Sequence, residues 1–331
     1  LDHNSQDPIS ALCSLIYGEK KDFDLKNINI NKEIHGNFLK IINENAEILA
    51  TYEKDIPNRI KTIQRIIQFV VLSMCIHPQF INNDVNERIP LLLGWIGNKN
   101  ERIRNASYNS IKKVYENFEN WLAYQLSVKL KNGDYNDIIT LDTFSDQNII
   151  NFITDELKIN NINSVEQVKE KRKYIYDKNK EIFSDKEIHD IFALTLKEIY
   201  ITEGGSVGDH PSNFFQGIGS KIGFFYPLFG GRKDSRRLQP HAHIIDIIIR
   251  SIVPKGERMI VEDFLDKLWN NFGIILSNKR DHKKYLDKHN IIIDNYDLDE
   301  NFNMFINSLE EMGLAKKYAD DAIFIGEIND N

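Results

Sequence analysis

The chain is 331 residues long, 41% hydrophobic and 11% aromatic, which excludes wholesale disorder and leaves room for two or three domains with cores of their own. Its two cysteines, Cys13 and Cys75, both in apolar surroundings, exclude a disulfide framework and suit a reducing cytosol. The formal net charge of -7 is uneven: residues 204–240 hold five lysines and arginines against two carboxylates, and residues 241–331 hold eleven against seventeen. A basic waist thus separates two acidic bodies, and that asymmetry bears on the choice of partner.

In chain order, the opening LDHNSQDPIS has neither a basic region nor an apolar core, so it is not expected to be a signal peptide. Pro57 and Pro78 bracket a helix in which Ile60, Ile63, Ile67, Val70 and Met74 recur at the spacing of a buried stripe. The apolar run at 66–76 is shorter than the roughly 18 residues a spanning helix needs. It follows Arg59, Lys61 and Arg65, so a core helix and no membrane is the expectation. Residues 86–130 read as two or more helices broken at Gly97-Asn98-Lys99-Asn100. A charged surface helix follows at 165–183, with Tyr174 and Ile175 turned inward, and then a more apolar one at 185–201.

The waist, 204–240, carries eight of the 17 glycines. In Gly217-Ile218-Gly219-Ser220-Lys221-Ile222-Gly223 the third glycine comes one residue too late for a dinucleotide fingerprint. No β-branched strand precedes it and no helix start follows, so a pyrophosphate would find neither the tight turn nor the helix end it needs. A grip on nucleic acid fits better: Lys221, Arg232, Lys233, Arg236 and Arg237 offer charge to phosphates, and Phe214, Phe215, Phe224, Phe225, Tyr226 and Phe229 offer stacking faces. The alternative is that these aromatics dock the segment onto its neighbours and the cations are a solvated linker.

Beyond the waist the pattern runs helix (241–253), short strand (258–260), helix (261–273), a basic segment within a helix at 278–289, an acidic helix (299–312) and two short strands about Asp320-Asp321. Gly313 stands where the acidic helix must end. This order resembles a winged helix, the tail at 302–326 matching that family's last helix and wing. The resemblance implies that the acidic helix would be the groove-reading one. Asp299, Glu300, Glu310 and Glu311 on it repel a polyanion, so a protein-docking module is expected instead. The basic segment, with Lys279, Arg280, Lys283 and Lys284, is the better phosphate contact.

For metal chemistry, His241 and His243, with Asp209, His210 and Asp246 near them in sequence, are the one cluster of suitable donors. Within a helix, side chains two residues apart point about 200° away from each other, which argues against a shared ion. No nucleophile elbow or reactive-cysteine signature is present. The expectation is a mainly α fold: a helical domain at 1–203, a glycine-rich basic connector at 204–240 and a winged-helix-like α+β domain at 241–331. The expected function is that of a non-enzymatic, cofactor-free, cytoplasmic bacterial component of a multi-protein nucleic-acid-handling assembly, of which anti-phage defence is one setting. It would dock a protein through the winged helix and touch DNA or RNA through the connector. The alternatives are a metal-dependent hydrolase acting on nucleic acid at His210, His241 and His243, and a transcriptional regulator.

Overall fold

The computed structural model describes residues 32–54, 56–81, 84–133, 144–157, 165–203, 211–227 and 236–327. Over these it is mainly helical, as expected. The helices are α1 (Lys32–Glu53), α2 (Arg59–Ile76), α3 (Glu101–Lys131), α4 (Asp146–Asn151), α5 (Val165–Ile182), α6 (Ile188–Glu203), α7 (Pro211–Ile222), α8 (Ala242–Ile252), α9 (Val261–Phe272), α10 (Lys283–Lys288) and α11 (Asn295–Glu311). The strands are short: β1 (Leu91–Leu92), β2 (Phe225–Tyr226), β3 (Arg237–Leu238), β4 (Arg258–Ile260), β5 (Ile274–Ile275), β6 (Ala315–Lys317) and β7 (Ile323–Gly326).

The core does not follow the three-part division expected from the sequence. One cluster joins Phe38, Leu49, Phe69 and Leu72 of the first two helices to Phe224 and Phe225 of the waist and to Ile248, Phe264, Phe305 and Ile325 near the end of the chain. Polar contacts follow the same path. Tyr52 donates its hydroxyl to the carbonyl of Val253 at 2.9 Å, and Arg65 bridges Glu53 at 2.5 Å and Asp246 at 2.7 Å. A separate cluster gathers α4, α5 and α6 about Phe152, Ile175, Tyr176 and Phe192. Helix α3 connects the two: Ile111, Val114 and Tyr115 belong to the first cluster and Leu130 to the second. Its 31 residues span about 46 Å, enough to reach both.

Residues 88–93, beyond one short helical turn at Val85–Glu87, are not helical. Leu91 and Leu92 pair in parallel with Ile274 and Ile275, and Leu93 meets Leu238 alongside. Asn301, buried on α11, ties this seam together. Its amide donates to the carbonyls of Leu93 and Leu276, and its oxygen accepts from the backbone N–H of Ile96. In the last ninety residues, β4, β7 and β6 form a three-stranded antiparallel sheet in that order, packed with α8, α9 and α11. The expected turn about Asp320-Asp321 joins β6 to β7. Gly313, at φ +71°, ends α11 with Leu314 donating back to Leu309 and Gly313 to Glu310, the double bond of a Schellman close. The helix expected at 278–289 is shorter, covering only 283–288.

Two helical faces differ from expectation. On α2 the buried apolar side chains are Phe69, Val71, Leu72, Cys75 and Ile76, while Ile60 and Ile63 are 68% and 55% exposed. A run apolar on every side offers two stripes, and periodicity cannot choose between them. On α5, Ile175 is buried as expected but Tyr174 faces out, and the inward place is taken by Arg172. Among the described residues, Arg59–Phe80 is the one helix long and apolar enough to cross a membrane, with 33% of its most apolar window buried.

The largest correction concerns the waist, where 211–222 is helix rather than connector. Its glycines serve packing. A Cβ on Gly219 would lie 2.6 Å from the Phe225 ring and 3.1 Å from the Cys75 sulfur, so glycine is what lets α7 lie close to α2. Gly223, at φ +83°, closes the helix, its N–H reaching Ser220 and that of Phe224 reaching Gly219. Gly219→Ala should therefore lower the unfolding free energy by about 2 kcal/mol, the overpacking loss exceeding the gain in helix propensity. Gly36→Ala on α1, where nothing lies within 4 Å, should raise it by about 0.5–1 kcal/mol. Urea titration of both variants against wild type measures the contrast, and a neutral Gly219→Ala would refute the packing role.

Candidate docking surface and the fate of the basic belt

The cations expected to meet nucleic acid divide into three groups. Arg232 and Lys233, with Phe229 and the candidate ligand His210, lie outside the described residues. Lys221 is exposed on the last turn of α7. Arg236 and Arg237 turn inward. Arg236 is half-buried and donates Nη1 to Gln216 at 2.5 Å. Arg237 is 2% exposed: Nε donates to Gln239 at 2.8 Å, Nη2 donates to Asn98, and the guanidinium lies 4.1 Å from the centre of the Tyr226 ring. Burial lowers the pKa of both arginines. Arg237 is therefore no surface cation, because the β2–β3 pairing sets it between Tyr226 and Asn98.

Among the described residues, most aromatics of the waist are likewise committed. Phe224 and Phe225 are fully buried, and Phe215 stacks on Tyr115 at 6.1 Å. Tyr226 keeps some exposure, beneath Arg237. In the later basic segment each cation has an acidic or aromatic neighbour. Arg280 pairs with Asp266 at 2.5 Å, Lys283 with Asp287 at 2.8 Å and Lys284 with Asp281 at 3.5 Å, while Lys279 sits 4.9 Å over the Phe302 ring. These pairs are largely exposed, so they tie down charge without adding much stability.

The imidazoles of His241 and His243 are neighbours, ring centres 5.8 Å apart, rather than pointing opposite ways. The helical-wheel estimate fails because His241 is the cap of α8, in extended backbone at φ -67°, ψ 158°, and not a helical residue. His243 Nε2 lies 3.0 Å from the carbonyl of Ile222. Asp246 is held by Arg65 and Arg250, each at 2.7 Å. Among the described residues no group of three or more His, Cys, Asp or Glu side chains could hold a metal ion.

The outer face of α11 has the opposite character to the belt. Tyr296, 76% exposed, is followed at helical spacing by Asp299, Glu300, Asn303, Met304, Asn307 and Glu310, all exposed. Ile292, just before the helix, is 88% exposed. Asp299 and Glu300 form no ion pair among the described residues, and the face carries no lysine or arginine. The helix is positioned from beneath: Asp294 caps it through the N–H of Asp297, Asn100 donates to Asp297 at 2.6 Å, and Arg102 pairs with Asp294 at 2.9 Å. Its buried side, Leu298, Phe302, Phe305, Ile306 and Leu309, is fixed in the core. A carboxylate row of this kind repels a phosphate backbone and complements positive charge.

A cleft of about 400 Å³ between α3, α6 and the start of α7 was not anticipated from the sequence. Along α3 it is lined by Tyr108, Ile111, Lys112, Tyr115, Glu116 and Glu119. Glu119 is 7% exposed, and burial pushes its carboxyl up to about 7, Lys197 pulling it down and Glu116 adding to the rise. The signal in the sequence was the spacing Tyr108, Ile111, Tyr115, Glu119, which sets a carboxylate on the buried stripe of a helix. It was legible only once residues 101–131 were known to be one helix. No protein-family model, curated protein or solved structure matches this chain.

Proposed function

We propose that this chain is a non-enzymatic docking component of a multi-protein assembly that handles nucleic acid. In this reading its last ninety residues act as a winged helix whose α11 meets a protein partner instead of a DNA groove. The observation that carries the reading is the outer face of α11: Ile292 and Tyr296 exposed at one end, then Asp299 and Glu300 with no cation paired to them among the described residues. The order of elements, helix, strand, helix, helix and hairpin with the first strand beside the last, supports the winged-helix part of it. The partner is a protein with a basic rim around an apolar pocket, because carboxylates steer and orient such a surface while the exposed tyrosine supplies buried area. Contact with DNA or RNA is narrowed to Lys221, Arg232 and Lys233, since Arg236 and Arg237 point inward.

The test is affinity purification from the native host, with and without nuclease, using wild type and the Asp299→Lys/Glu300→Lys variant. A partner retained after nuclease and lost by the variant is the expected result. Parallel binding to labelled duplex and single strands over a salt series should give weak, salt-sensitive affinity that Lys221→Ala/Arg232→Ala/Lys233→Ala removes. Tight sequence-selective duplex binding that depends on α11 would instead make this a transcriptional regulator and end the docking proposal.

A further inference from the structure

The cleft between α3, α6 and α7 carries an inference independent of the docking face. Ser212, Asn213 and Gln216, from the first turns of the 12-residue α7, form one wall. The first backbone N–H groups of a helix have no helical carbonyl to meet, and the macrodipole adds positive potential there. A helix start alone is not a site. Here, however, the Ser212 side chain, 7% exposed, lines the cleft with its hydroxyl buried and without a hydrogen-bond partner among the described residues. A buried hydroxyl left in that state costs free energy that a bound acceptor would recover. Lys197 of α6 and Lys112 of α3 face the same space. Arg236, which donates to Gln216, stands behind that wall. Tyr108, Ile111 and Ile201 give the rest of the lining an apolar character, and the volume exceeds what a bare phosphate needs.

We propose that this cleft binds a small phosphate-bearing anion, its phosphoryl group at the start of α7 against Ser212 and Lys197 and its body along α3. Glu119 gives the site a proton requirement. The charges facing it are Lys112 and Glu116 from α3 and Lys197 from α6, while α7 brings only the uncharged Ser212, Asn213 and Gln216. An anion beside Glu119 disfavours its ionised form, so the complex holds the carboxyl protonated and takes up a proton as the ligand enters. Protonation of Glu119 then favours binding at pH 6 over pH 8, against the opposite pull of the phosphate's own second ionisation at about pH 6. Glu119→Gln should remove the Glu119 share.

Isothermal titration of the full chain with inorganic phosphate, adenosine monophosphate and adenosine, at both pH values, tests this. Either phosphate probe should bind, with adenosine inert, and the ratio of affinities at pH 6 and pH 8 should be higher in wild type than in Glu119→Gln. A tighter monophosphate than inorganic phosphate identifies a phosphate ester as the ligand, and equal affinities identify the free ion. Lys197→Met should weaken binding about tenfold, the worth of one charge-assisted hydrogen bond, and Ser212→Ala by a smaller factor. Lys40→Met, on the exposed face of α1 and given no binding role, should leave it unchanged. Unfolding midpoints near wild type establish that the variants fold. Equal affinity in Lys197→Met and Lys40→Met, binding of adenosine as strong as that of its monophosphate, or no binding of either phosphate probe overturns the proposal.

Discussion

Arg172→Met is expected to cost about 3–5 kcal/mol and to open the α4–α6 cluster before the rest of the molecule, the loss typical of breaking a buried ion pair from one side. Arg172 is 1% exposed on a helix otherwise crowded with solvated charge. Its guanidinium forms a fork on Glu203, Nε to Oε1 at 2.7 Å and Nη2 to Oε2 at 2.6 Å. Nη1 donates to the carbonyls of Ile153 and Leu157, both at 2.8 Å. Those carbonyls belong to the wide turn of Phe152–Glu156 and the residue after it, where the helical ladder ends and backbone acceptors would otherwise be stranded. Methionine fills the space but strands two carbonyls and the Glu203 carboxylate together. Lysine cannot replace the fork, because one ammonium does not match a carboxylate bidentately and reach two carbonyls as well.

Hydrogen exchange reads where the loss falls. Amides of α5 and α6 should lose protection while those of α8, α9 and α11, in the other cluster, keep theirs. Arg172→Met/Glu203→Met should recover part of the stability, since an apolar pair leaves no charge unmatched. A single, uniform loss of protection across the chain would mean that the two clusters unfold as one unit.

What could be read in the sequence was mostly local. The strand at 258–260, the helix at 261–272 and the hairpin about Asp320-Asp321 are each marked by their own residues, and Gly313 ends α11 because only a glycine takes its left-handed backbone without strain. The acidity of α11 was likewise plain, since five carboxylates without a lysine or arginine need no neighbours to interpret. The parallel pairing of Leu91-Leu92 with Ile274-Ile275 was not readable. Two-residue strands carry no periodicity, and their partner lies far along the chain. Helix α7 was hidden for a different reason. Gly217 and Gly219 depress its intrinsic propensity, and it is tertiary packing of Phe215 and Ile218 on the main core that holds it. Charge counting found the belt but could not say which way an arginine turns.

Arg237 turns that lesson into the second large expected effect. Arg237→Met should lower the unfolding free energy by about 3 kcal/mol, the combined worth of hydrogen bonds made by a buried cation and a desolvated cation–π contact. The side chain runs so close over Gly97 that a Cβ there would lie 2.4 Å from its Cδ. It thereby clasps the turn at 95–99 to β3, with Asn98 and Gln239 as its acceptors. The adjoining backbone depends on the same clasp: Leu238 donates to the Ser107 hydroxyl at 2.9 Å, and Gly94 donates to the Leu238 carbonyl at 2.8 Å. Removing the guanidinium leaves the Asn98 oxygen to find water and frees the Tyr226 face, so the loss appears in thermal and urea unfolding. Nucleic-acid affinity, measured well below the unfolding midpoint, should not change in Arg237→Met, whereas Lys221→Met should reduce it without altering the midpoint. The opposite pattern, affinity lost at constant stability in Arg237→Met, would mean that the arginine leaves its place beneath Asn98 to meet a phosphate and that the belt opens on binding.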